Sequence, residues 1–165
     1  MRKKRRSVGN TPIRAALRSD STLQAVVHDG IDALEGNRDI LQEDIRPAFG
    51  DSLNLDAAVM SDYPSDQRWD YLLGHTSSRK LIGVECHSGH TSEVSVLIAK
   101  KKAALEQLRP HLRDGQSVDH WLWVASGRVD ILDLGKARQR LDQHGITFVG
   151  RRVLAKHLPM SEASR

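Results

Sequence analysis

The sequence predicts an α/β domain: a mixed central sheet of about four to five strands with helices on both faces. Three stretches carry that expectation. Residues 69–87 read as two extended segments joined by a turn, and a long amphipathic helical pattern follows them. Trp121-Leu122-Trp123-Val124-Ala125 is a continuous apolar run of strand length, as expected of a strand buried on both faces. A helical pattern and a last strand at Ile146-Thr147-Phe148-Val149 come after it. An antiparallel hairpin therefore feeds a strand–helix–strand unit, whose parallel crossover is expected to be right-handed.

Length and composition are those of one globular domain. The chain has 165 residues, 39% hydrophobic and 28% charged, enough for a real core. The single Cys86 excludes an intramolecular disulfide and a Cys-rich zinc module. No apolar stretch approaches the roughly 18 residues of a membrane span, and the basic start is not followed by an apolar signal core. A cytoplasmic protein without membrane contact is expected. The net charge of +4 hides an asymmetry, because residues 1–20 hold seven Lys/Arg and one Asp. Residues 1–20 are accordingly read as a flexible basic arm, 21–158 as the domain and 159–165 as a frayed tail. Arg2, Lys3, Lys4, Arg5 and Arg6 are the candidate phosphate contacts of the arm. The plain alternative is a solvated tail.

Within the domain, Ser21 is suited to cap a helix carrying Leu23, Val26, Val27, Ile31 and Leu34, which Gly36 ends. Asn37 caps a second helix through Ile40, Leu41 and Ile45, stopped by Pro47. Residues 49–67 are the least patterned: SLNLDAAVM begins as a strand and turns helical, and SDYPSDQ is a loop. Pro110 closes the long helix of the central unit, Asp133 caps the next one, and Gly145 ends it.

The chemistry concentrates in the hairpin and the helix behind it. Alternate strand residues share a face, so Glu85 and His87 point one way and Cys86 the other. Asp70 opens the first strand of the hairpin. Two carboxylates brought together by a hairpin, beside a nitrogen ligand, suit a hard divalent cation. In the helix, turning 100° per residue, Lys101 lies about 20° from Val94, in the middle of the stripe formed with Leu97, Ile98, Leu105 and Leu108. Lys100 and Lys102 lie well away from it. An ammonium on a packed face needs a carboxylate partner or must snorkel to water. A structural zinc site from His75, Cys86, His87 and His90 lacks ligand pairs at zinc-finger spacing. There is no Gly-rich phosphate loop and no Gly-x-Ser-x-Gly elbow.

The order helix, hairpin, helix, strand, with Asp70 at the first hairpin strand and Glu85-Cys86-His87 on the second, resembles the PD-(D/E)xK nuclease superfamily. The resemblance covers roughly residues 21–150 and implies a restriction-endonuclease-like three-layer fold. It also implies that Asp70, Glu85 and the Cys86 carbonyl hold Mg²⁺ or Mn²⁺. The motif lysine, two residues after Glu85, is replaced by His87. Some members of the family take that lysine from the following helix, where Lys101 stands. A helical acid ahead of the hairpin sometimes joins the site, and Glu35 and Glu43 are the acids so placed, with a surface role the plainer expectation for both. The resulting expectation is metal-dependent hydrolysis of nucleic acid, DNA ahead of RNA, with Asp70, Glu85, His87 and Lys101 as the catalytic set. Dimerisation is expected where two strands are cut. The alternative is an inactive nuclease-like fold that binds nucleic acid or a protein partner, favoured by the missing lysine and the acidic balance of the folded part.

Overall fold

The computed structural model describes residues 10–130 and 134–161; Arg2–Arg6 of the arm, the capping residue Asp133 and most of the C-terminal tail lie outside them. The protein is α/β, with a mixed six-stranded sheet. In chain order the strands are β1 (His28–Asp29), β2 (Phe49–Asn54), β3 (Tyr71–His75), β4 (Leu81–His90), β5 (Val118–Asp130) and β6 (Ile146–Gly150). Their spatial order is the same. β1 to β4 form an antiparallel meander, and β5 and β6 then add in parallel. The helices are α1 (Pro12–Ala16), α2 (Leu55–Val59), α3 (Val94–Leu108) and α4 (Leu134–Gln143). α3 and α4 link the parallel strands, as the expected crossover requires.

Strand parity sorts the core into two clusters, one on each face of the sheet. Leu72, Leu81, Trp121 and Trp123 pack with residues from all four α-helices, including Ile13, Leu55, Leu97 and Leu141. Tyr71, Leu73, Ile82, Val84, Leu122 and Val124 face the other way, onto Ile31, Leu34, Ile40, Leu41 and Ile45. Leu34, Ile40 and Ile45 sit in 3-10 helices over Asp32–Ile40 and Glu43–Ala48, not in α-helices, and Ile31 and Leu41 stand at the two ends of the first. Helices thus lie on both faces but differ in kind: all four α-helices are on one face, and the other is covered by 3-10 helices.

Two expectations are corrected. The helix read from Ser21 to Glu35 is a 3-10 turn, Thr22–Val26, followed by the edge strand β1. Ser21 does cap, its hydroxyl accepting from the Leu23 N–H at 3.1 Å. The apolar spacing misled because its residues serve different faces: Leu23 and Val27 join one cluster, Ile31 and Leu34 the other. One straight helix cannot lie on both sides of a sheet. β1 within that stretch also raises the strand number above the expected four to five. The arm, secondly, does not extend to residue 20. α1 is part of the domain, with Ile13 and Leu17 fully buried.

α1 is held by a buried acid. Asp51, in β2, accepts the Ile13 N–H at 3.0 Å and the Arg14 N–H at 3.1 Å through the same oxygen. Its carboxylate lies across Gly74 of β3, where an added Cβ would stand 2.0 Å from Asp51 Oδ1. Among the described residues no helix is long and apolar enough to cross a membrane. Gly74→Ala is predicted to cost about 3 kcal/mol, since it forces the carboxylate off its two donors. Urea denaturation measures this, and a cost under about 1 kcal/mol would contradict the packing.

Candidate active site

β3 and β4 pair with Tyr71 opposite Val84, which puts Asp70 opposite Glu85 one step further along. The two residues interlock. The Asp70 N–H donates to Glu85 Oε2 at 2.9 Å, and the Cys86 N–H donates to Asp70 Oδ2 at 3.0 Å. The approach to Asp70 is fixed by its surroundings. Trp69 is fully buried and meets Trp121 edge to face at 5.0 Å. The Asp70 carbonyl accepts the Leu55 N–H at 2.9 Å as α2 begins, and the Gln67 carbonyl accepts Gln107 Nε2 from α3 at 2.8 Å. The two predicted acids therefore meet on the α-helical face, at the rim where β3 starts.

The lysine is a different one. Lys100 of α3 pairs its amine with Glu85 Oε1, its side chain 16% exposed against 0% for the glutamate. Lys101 is turned away: its amine donates to the His144 carbonyl and stands 5.7 Å from the centre of the Trp121 ring. Burial holds the Lys101 amine below its ordinary pKa. The prediction erred on which side of α3 is packed. Leu105, counted in the apolar stripe, is 43% exposed, whereas Gln107 is 2% exposed, its amide held by the Gln67 carbonyl. The buried arc, Val94, Leu97, Ala104, Gln107 and Leu108, is centred about 60° from Val94 toward Lys100, so the two lysines stand on either side of its centre.

His87 points to the same face as Glu85, as strand parity predicts. Its Nε2 lies 2.8 Å from Glu93 Oε2 and its Nδ1 lies 3.9 Å from Glu85 Oε1. Glu93 was not singled out by the sequence reading; its only signal is an acid six residues after His87, across the turn from β4 into α3. Cys86 faces the second cluster, and burial raises its thiol pKa. Its carbonyl is the relevant group. A strand residue sends its N–H and C=O to the same side, so the Cys86 carbonyl leaves β4 toward Asp70, beyond the start of β3. His75 closes β3 at the opposite rim, bonded to Ser78 at 2.6 Å, and so belongs to no common site with His87. Glu35 and Glu43 are exposed, on the 3-10 segments.

The electrostatics follow from burial. Glu85 is pushed up to about 7, first by desolvation and then by the neighbouring Asp70 charge, with Lys100 offsetting part of the rise. Desolvation also raises Asp70, opposed by the Cys86 N–H and Lys100. Two carboxylates share one ammonium, leaving a net negative charge when both ionise. Asp70, Glu85 and the Cys86 carbonyl make a hard oxygen donor set, which fits Mg²⁺ or Mn²⁺ completed by water. Among the described residues no three His, Cys, Asp or Glu side chains form a metal-holding group, so side chains alone would supply two of the ligands. No protein-family model matches the chain, nor does any curated protein or solved structure.

A carboxyl whose folded pKa exceeds its unfolded value binds its proton more tightly when folded. Its ionisation therefore destabilises the fold as pH rises between the two values, 4.5 and about 7 for Glu85. Glu85→Gln is predicted to gain stability relative to the parent across that interval, on the order of 3 kcal/mol, and to run parallel above it. Chemical denaturation of both proteins over a pH series measures the difference. Parallel curves throughout would refute the assigned burial.

Proposed function

We propose that this protein is a divalent-metal-dependent nuclease of the PD-(D/E)xK kind with a restriction-endonuclease-like core, its lysine moved from the motif strand to α3. The observation that carries this reading is the triad itself: Asp70 and Glu85 face to face at a sheet rim, with the Lys100 amine on Glu85. The antiparallel hairpin followed by α3 and the parallel β5 agrees with the family order.

A Mg²⁺ or Mn²⁺ ion held by Asp70, Glu85 and the Cys86 carbonyl would lower the pKa of a bound water and neutralise charge on the phosphate. The protein's own groups divide the remaining work. Asp70 is oriented by the Cys86 N–H and Glu85 by the Asp70 N–H, so each acid holds the other's geometry. Lys100, whose amine reaches Glu85 Oε1 from α3, would donate to a phosphate oxygen as negative charge builds there. His87, oriented by Glu93, stands near enough to Glu85 to take up or deliver a proton at the rim. Nucleic acid is the expected substrate, DNA ahead of RNA. The N-terminal Arg2–Arg6 are offered as additional phosphate contacts, and a homodimer would serve cutting of both strands.

A module that binds without cutting is the second reading. It is favoured by the same Lys100–Glu85 pair, which already gives the carboxylate a cation. Metal-dependent cleavage of plasmid DNA decides. Asp70→Ala and Glu85→Ala are expected to abolish it, Lys100→Ala to lower kcat about 10²–10³-fold, and Lys101→Ala to leave it near the parent value. Unchanged cleavage by folded Asp70→Ala and Glu85→Ala would remove the site from consideration. Mn²⁺ is also expected to raise Tm, more strongly above pH 7 than below, because Glu85 must ionise to bind it. No shift at either pH would favour the non-cutting module.

A further inference from the structure

Charge is segregated along the folded chain. Residues 21–133 carry eleven Lys/Arg against eighteen Asp/Glu, whereas residues 134–161 carry six Lys/Arg and a single Asp. The overall acidic balance of the folded part therefore conceals a cationic quarter, made of α4, β6 and the segment after β6. β4, β5 and β6 run parallel; β6 ends in the row next to that of Glu85, while β4 and β5 run on to His90 and Asp130. Cys86 pairs with Val124, and Val124 with Gly150, so these three form one row across the sheet. Two interstrand steps put Gly150 about 10 Å from Cys86. Arg151 and Arg152 follow Gly150 immediately.

Those two arginines are exposed yet firmly mounted. Gly150 turns the chain at φ +80°, and Val153, fully buried, donates to the Ile40 carbonyl at 2.8 Å and accepts from the Gln42 N–H at 3.0 Å. Arg151 and Arg152 thus span two residues between anchored ends. Among the described residues neither has an acid within ion-pair distance, in a protein whose Arg14, Arg18, Arg38, Arg46, Arg68 and Arg109 all do. On α4, Arg140 donates to the Ser95 hydroxyl at 2.9 Å and not to a carboxylate. With Lys136, Thr91, Val94 and Ala137 it lines a cleft of about 300 Å³ that opens just past the end of β4. Guanidinium forks without carboxylate partners match phosphate oxygens, which accept two parallel bonds.

We propose that Arg151 and Arg152, with Arg140, form a phosphate-gripping edge that seats a nucleic-acid backbone across the Asp70–Glu85 rim. The proposal rests on the nucleic-acid reading above, but on its substrate and not on its chemistry. The backbone spacing of about 10 Å between Gly150 and Cys86 corresponds to roughly three base-pair steps along a duplex axis, so the edge holds the backbone on one side of the acid pair.

The test is fluorescence anisotropy of the full chain with a labelled DNA duplex in EDTA, where cutting does not intervene, over a KCl series. The double variant Arg151→Gln/Arg152→Gln is expected to bind at least about tenfold more weakly and to lose about 1.8 from the slope of log K against log salt; Arg140→Gln is expected to lose about 0.9. Glu85→Gln is expected to bind as tightly as the parent or more tightly. If the double variant melts early, Arg151→Gln and Arg152→Gln singly each read a loss of about 0.9. Unchanged affinity and slope in the arginine variants would overturn the edge, and so would tighter binding of polyglutamate than of duplex, which would point to an acidic protein partner. Absent cleavage with this binding pattern intact would count against the catalytic reading alone.

Discussion

Everything at the candidate site depends on one pairing: two carboxyl-bearing residues set opposite each other across a hairpin and buried there. Like charges at that separation in a poorly solvated rim repel strongly, and each loses its hydration. The fold meets the cost locally. Each acid accepts a backbone N–H from its neighbourhood, and α3 supplies one ammonium. The compensation is incomplete, as the raised pKa of Glu85 indicates. A protein selected for stability alone gains little from such a pair, since apolar residues of similar volume would cost less. Carboxyl groups perturbed in this way cluster at functional sites and also occur in structural ion-pair networks.

The rigid frame around the pair has a plain physical origin. Trp69, Trp121 and Gly83 form a tight group, with an added Cβ on Gly83 standing 2.7 Å from the Trp121 ring. The large ring occupies the space a side chain would have taken. Gln107 then ties α3 to the residues just before Asp70, so the helix bearing Lys100 and the strand bearing Asp70 cannot drift apart.

Much of this was legible in residues alone, and the failures have causes. The hairpin, α3, β5, α4 and β6 all announced themselves because each buries a face of constant period, and the meeting of Asp70 with Glu85 followed from strand parity and hairpin pairing. The choice between Lys100 and Lys101 did not, because a polar residue, Gln107, takes a buried position and an apolar one, Leu105, an exposed position. Side-chain type points to the wrong arc when a hydrogen bond substitutes for hydrophobicity. The stretch from residue 21 to 47 failed for another reason: its apolar residues divide between the two faces of the sheet, so a single period across them has no single physical meaning. Glu93 and the arginines after β6 were silent because their significance comes from which elements the fold brings side by side.

The placement of α1 carries a practical corollary. Ile13, and Leu17 just after it, plug the helical layer from outside the region that sequence periodicity marks as the domain, and the helix start is held by an aspartate thirty-eight positions downstream of Ile13. A shortened protein starting at residue 21, trimmed to discard what reads as a loose cationic leader, would forfeit a wall of its interior and strand that aspartate without donors. A truncation that spares this packing keeps Thr11 as well, whose carbonyl accepts the Ala15 N–H at 2.9 Å.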